Sequence, residues 1–105
     1  MELASVLSLP DGPAKTVALV AWVQGLFERD RTPVLVGGAA VELYTGGAYT
    51  TGDLDFAGTV PTAAARTLAA AGFVRHGRHW IHEAGQVYLE FPSAALAAGE
   101  QSRAT

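Results

Sequence analysis

Pro33-Val34-Leu35-Val36-Gly37-Gly38-Ala39-Ala40-Val41-Glu42-Leu43-Tyr44-Thr45-Gly46-Gly47-Ala48-Tyr49-Thr50-Thr51-Gly52-Asp53-Leu54-Asp55-Phe56 decides the fold. Val34 to Val36 suits a buried strand, and Gly37-Gly38 lets the backbone turn sharply and approach whatever sits above it. Ala39 to Tyr44 then reads as a helix opening just after those glycines. Its N-terminus would present unpaired backbone N–H groups and a partial positive charge, the makings of a phosphate seat. Gly46-Gly47 is the expected stop. In the next strand, Asp53-Leu54-Asp55-Phe56, residues two apart share a face. Asp53 and Asp55 therefore point one way while Leu54 and Phe56 point into a core.

The spacing has a chemical use. At a rise of roughly 3.3 Å per residue, the two carboxylates stand about 6 to 7 Å apart, where they can share hard divalent cations. A pair of such ions roughly 4 Å apart can clamp a phosphoryl oxygen and activate an attacking hydroxyl. One strand-helix-strand unit thus offers a phosphate cradle and a metal platform together.

Outward from that unit, the bulk chemistry is that of a folded chain. The 105 residues are half hydrophobic and 16% charged, which predicts one domain with a single core. A formal net charge of -3 argues against a strong nonspecific grip on nucleic acid through the overall field. Cysteine is absent, which removes disulfides, thiolate zinc sites and cysteine nucleophiles and suits a cytoplasmic location. No apolar run reaches the roughly 18 residues of a membrane span, and Met1 to Pro10 lacks the basic start of a signal peptide. These features predict a soluble, intracellular protein with no membrane partner.

Before the central unit, Met1 to Leu9 fits either a short amphipathic helix or an arm. Asp11-Gly12-Pro13 signals a helix start, and the chain from Ala14 to Arg29 reads as one long helix. Leu19, Val20, Val23, Leu26 and Phe27 give it a wide apolar surface, expected to be covered on more than one side. That surface serves the core, with a homodimer contact through Trp22 as the alternative. Asp30 to Thr32 is a polar connection. After the central unit, Ala57 to Val60 turns, and Pro61 begins an Ala-rich helix to about Ala71, stopped by Gly72.

The period then shortens. Phe73 to His76 and His79 to His82 read as strands joined by a two-residue turn at Gly77-Arg78. Gln86 to Phe91 alternates, with Val87, Leu89 and Phe91 on one face and Gln86, Tyr88 and Glu90 on the other. Pro92 ends that strand, and Ser93 to Gly99 suits a helical turn. The order predicts an α/β (α+β) fold, a mixed sheet flanked by helices.

A Gly-Gly pair opening a helix, Asp-x-Asp on the next strand and a third acid on a later strand together resemble the polymerase-beta-type nucleotidyltransferase superfamily. More narrowly, Val36 to Tyr44, Thr51 to Phe56, Gly77-Arg78-His79-Trp80 and Leu89-Glu90-Phe91-Pro92 look like the small bacterial and archaeal nucleotidyltransferases. Those are similar to AbiEii-type toxins and minimal nucleotidyltransferase antitoxins. The likeness covers roughly Pro33 to Pro92, and it rests on order and spacing more than on any single piece.

The resemblance implies transfer of a nucleoside monophosphate from a nucleoside triphosphate to a hydroxyl of RNA or protein. Gly37 and Gly38 would hold the triphosphate, and Asp53 and Asp55 would bind magnesium, two ions in all. Glu90 would be the third carboxylate, completing the metal site or taking the proton of the acceptor hydroxyl. A catalytically inactive antitoxin or interaction module, with a toxin or antitoxin as partner, is the alternative.

Three departures matter. Many relatives have Gly-Ser with a basic residue soon after, whereas this segment is uncharged from Gly38 until Glu42, so triphosphate grip must come from elsewhere. The third acid is often Asp, and Glu90 adds a methylene of reach. Active relatives also continue past the sheet, which leaves a truncated domain, a degenerate one or half of a complex as readings of a sequence ending at Thr105.

Among the remaining polar residues, His76, His79 and His82 straddle the predicted hairpin, where alternation is expected to separate their faces and leave them surface roles. Arg75 and Arg78 are either exposed hairpin charges or contacts to triphosphate or RNA. Tyr44, Tyr49, Thr50 and Thr51 are candidate pocket-lining residues.

Overall fold

The computed structural model describes residues 2–45 and 53–92, in which helices alternate with strands before a run of strands closes the sheet. The elements are α1 (Leu3–Leu7), α2 (Pro13–Gln24), a 3-10 turn (Arg29–Arg31), β1 (Val34–Val36), α3 (Gly37–Thr45), β2 (Asp53–Ala57), α4 (Thr62–Ala70), β3 (Val74–His76), β4 (His79–His82) and β5 (Val87–Glu90). The strands form one mixed sheet in the order β1-β2-β5-β4-β3. β2 and β5 run parallel at its centre, and the other pairings are antiparallel. This is the expected α+β architecture. The Gly46-Gly47 stop and the turn over Ser93 to Gly99 lie outside the described residues, and the pocket role of Tyr44, Tyr49, Thr50 and Thr51 rests on side chains outside them.

The start of the chain is a helix rather than an arm. α1 buries Leu3 and Val6 in the same cluster as Leu19 and Val23 of α2. α2 is shorter than its apolar pattern implies. It ends at Gln24, because Gly25 has little helix propensity and Phe27 leaves the helical path to bury itself 6.2 Å from the Phe91 ring. The Gln24 side-chain amide then donates to the Pro33 carbonyl at 3.0 Å, tying the helix end to the entrance of β1. The apolar surface named from the sequence is covered, with Leu19, Val23 and Phe27 buried and Val20 and Leu26 packed against the core. Thr16 is buried as well, whereas Val17 is 55% exposed. Trp22 packs within the chain, its ring 5.9 Å from that of Phe73 and nearly parallel to it.

The core lies on one face of the sheet. Leu54 and Phe56 of β2, and Val87 and Leu89 of β5, meet Ala64 and Leu68 of α4 there. Phe56 stacks on Phe91 at 5.4 Å. A buried aromatic side chain contributes about 1.5 to 3 kcal/mol through lost water contact, so this pair is a principal anchor of the sheet centre. The β3–β4 turn is Gly77-Arg78 as expected. Gly77 takes φ of +64° while Arg78 stays at negative φ, the pattern of a type II′ hairpin that admits glycine first.

Candidate functional site

β1 passes into α3 without an intervening residue, so the two glycines form the first turn of the helix instead of preceding it. They answer to different demands. Gly37 has φ of +76°, and a Cβ there would stand 2.7 Å from Asp55 Oδ2, so only glycine fits. Gly38 has no such constraint. A Cβ there would meet nothing within 4 Å, and its backbone lies outside the left-handed region.

The open side of Gly38 faces a cavity of about 430 Å³ lined by Gly38, Ala39, Glu42, Asp53, Asp55 and Glu90. Both expected glycines and all three expected carboxylates are therefore neighbours in space, with Gly37 against Asp55 itself. The parallel register pairs Asp53 with Tyr88 and Asp55 with Glu90. Asp53 and Asp55 share the face opposite Leu54 and Phe56, and cross-strand pairing brings Glu90 onto that face beside Asp55.

As cross-strand partners, Asp55 and Glu90 can share a side-chain hydrogen bond when one of the two carboxyl groups is protonated. Burial, first, then that bond and the negative charges of Glu90 and Asp53 raise the pKa of Asp55 above its ordinary value, against an opposing pull from His79. Glu90 has basic partners too. Arg78 Nε lies 3.0 Å from Glu90 Oε2, and His79 Nε2 lies 3.7 Å from the same oxygen. Antiparallel pairing of β4 with β5 places His79 directly opposite Glu90.

The donors on this wall are carboxylate oxygens, the chemistry a hard divalent cation takes. In its present arrangement, one Glu90 oxygen is turned to Arg78 and His79. Among the described residues no three His, Asp or Glu side chains are gathered into a ready metal-holding group. The donor chemistry fits a cation held first by Asp53 and Asp55, with Glu90 adjacent.

Of the other residues here, Arg78 is one that the sequence offers as a contact to triphosphate or RNA, whereas Glu42 and His79 are not legible as site residues, though each leaves a trace. Glu42 lies four residues after Gly38, one helical turn along the same face. A four-residue loop pairing His82 with Val87 fixes His79 opposite Glu90 by simple register. The histidines correct one expectation. His76 and His79 are cross-strand partners and share a face, because the two-residue turn sets them opposite each other. Only His82 is separated from them. Its ring meets Phe73 edge-on at 5.2 Å, and its Nδ1 accepts from the Gly85 N–H. Arg75 folds back on its own turn, Nε donating to the Gly77 carbonyl at 2.9 Å.

Among the described residues no helix is long and apolar enough to cross a membrane. No family model matches the chain, and no curated protein or solved structure matches it either.

Proposed function

We propose that this chain is a nucleotidyltransferase, moving a nucleoside monophosphate from a nucleoside triphosphate to a hydroxyl of RNA or protein. The observation that carries the reading is the parallel β2–β5 register, which sets Asp55 beside Glu90 under the first turn of α3. A strand pair alone does not require carboxylates at adjacent, mutually repelling positions. Their crowding around a cavity walled by a helix N-terminus suits a ligand that brings both phosphate and cations.

In this reading the first-turn N–H groups of α3 face the triphosphate, and the bare Gly38 lets it approach the backbone. Asp53 and Asp55 would hold magnesium, with Glu90 completing the set. Bound there, two magnesium ions would lower the pKa of the acceptor hydroxyl and offset charge on departing pyrophosphate. The acceptor oxygen bonds to the α-phosphorus as the bond from that phosphorus to the bridging oxygen breaks. In the same reading Glu90 helps to take the acceptor proton.

Calorimetric titration of magnesium with each nucleoside triphosphate tests the site directly. Wild type is expected to bind, and Asp53→Ala/Asp55→Ala to lose the metal-dependent heat while remaining folded. A folded wild type that binds no nucleotide would instead favour an inactive interaction module of the toxin-antitoxin kind.

A further inference from the structure

No basic residue lies between Gly37 and Glu42, so α3 offers a triphosphate only its backbone dipole and no side-chain cation. The strand register supplies one from elsewhere. Arg78 occupies the tip of the β3–β4 turn, and its carbonyl accepts from the Phe91 N–H at 3.0 Å, which fixes the turn against the end of β5. From that anchored backbone the side chain reaches across to Glu90 Oε2 while remaining 48% exposed. Glu90 thereby stands between a cation on one side and its cross-strand partner Asp55 on the other.

We propose that Arg78 is an exchangeable counter-ion of the site. It holds Glu90 when no nucleotide is bound, and passes to the phosphates of an incoming nucleoside triphosphate, releasing Glu90 to join Asp53 and Asp55. The inference rests on the nucleotidyltransferase reading and adds to it the residue that grips the phosphates. Half-exposed ion pairs are weak and easily exchanged, whereas a guanidinium against a phosphate forms parallel charge-assisted bonds. The two roles are coupled: the group that neutralises the third carboxylate in the free protein is the group that recognises the charge of the substrate.

This coupling gives opposite signs in two titrations of one variant. With Mn2+ alone, Arg78→Ala should bind about 3-fold more tightly than wild type, because Glu90 loses its competing cation. With Mn2+ and a non-hydrolysable ATP analogue, the same variant should bind the analogue about 10-fold more weakly, the loss of one charge-assisted contact. Arg78→Lys keeps the charge without the planar fork and should fall between the two, and it serves as the working variant should the alanine chain not fold.

An alanine variant that leaves both affinities unchanged, or weakens both, overturns the exchange while leaving the proposed function standing. A folded wild type that binds neither Mn2+ nor the analogue overturns both.

Discussion

Leu54 and Phe56 on one side of β2, and Asp53 and Asp55 on the other, share a backbone and a register yet stand in opposite energetic situations. The apolar pair is 1% and 0% exposed and completed by packing against α4, β5 and Phe91. The acidic pair lies on the cavity side, where Asp55 is pushed toward its neutral form by burial and by two neighbouring carboxylates. One face of the strand accounts for the existence of the fold. The other works against it, and a sequence that retains such an arrangement keeps it for something other than stability.

The largest effect belongs to the packed face. Phe56→Ala should destabilise the chain by about 3 to 5 kcal/mol, by removing a fully buried ring and its stack on Phe91. Asp53→Ala, on the exposed end of the other face, should stay within about 0.5 kcal/mol of wild type. Urea unfolding of the two variants measures this directly. Equal losses would mean that the acidic face is as structural as the apolar one.

A finer division runs through the glycine pair. Gly37→Ala must both hold φ of +76° and displace the Asp55 carboxylate, a loss of about 1 to 3 kcal/mol. Gly38→Ala meets open space in an ordinary helical position and should gain about 0.5 to 1 kcal/mol. The added methyl nevertheless enters the cavity, so triphosphate binding should weaken as the melting temperature rises. Should Gly38→Ala stabilise the chain and leave nucleotide affinity intact, the cavity wall is not where phosphate sits.

How much of this was legible in the sequence follows from the range of each signal. The strand-helix-strand unit, the hairpin at Gly77-Arg78 and the alternation of β5 are local, and each appears where turn chemistry and periodicity put it. The end of α2 is not legible in this way, since the apolar spacing runs on through Leu26 and Phe27 while a single Gly25 and the pull of Phe91 decide the break. Partnership between strands is not local at all. Asp53, Asp55 and Glu90 were identifiable as candidates, but only the parallel pairing of strands separated by α4, β3 and β4 makes Asp55 and Glu90 neighbours. The Arg78–Glu90 contact likewise depends on a side chain crossing from a turn to a strand that is not adjacent in sequence.

The smallest expected effect is the most diagnostic of the acidic face, because its sign depends on pH. The Asp55 carboxyl titrates above its ordinary value of 3.8 in the folded chain, so the folded state holds this proton more tightly than the unfolded state. Stability from that proton is fully present below the unfolded pKa and is lost as pH rises through the raised folded value. Asp55→Asn has no such proton to lose. It should therefore be more stable than wild type at neutral pH, with the gap closing on acidification as the wild-type carboxyl becomes neutral. Denaturant unfolding of both chains from about pH 3 to about pH 8 isolates the Asp55 contribution, since the other carboxylates titrate in each. A gap that does not change with pH would place the effect in shape or hydrogen bonding and remove charge crowding as the property that sets the two faces of β2 apart.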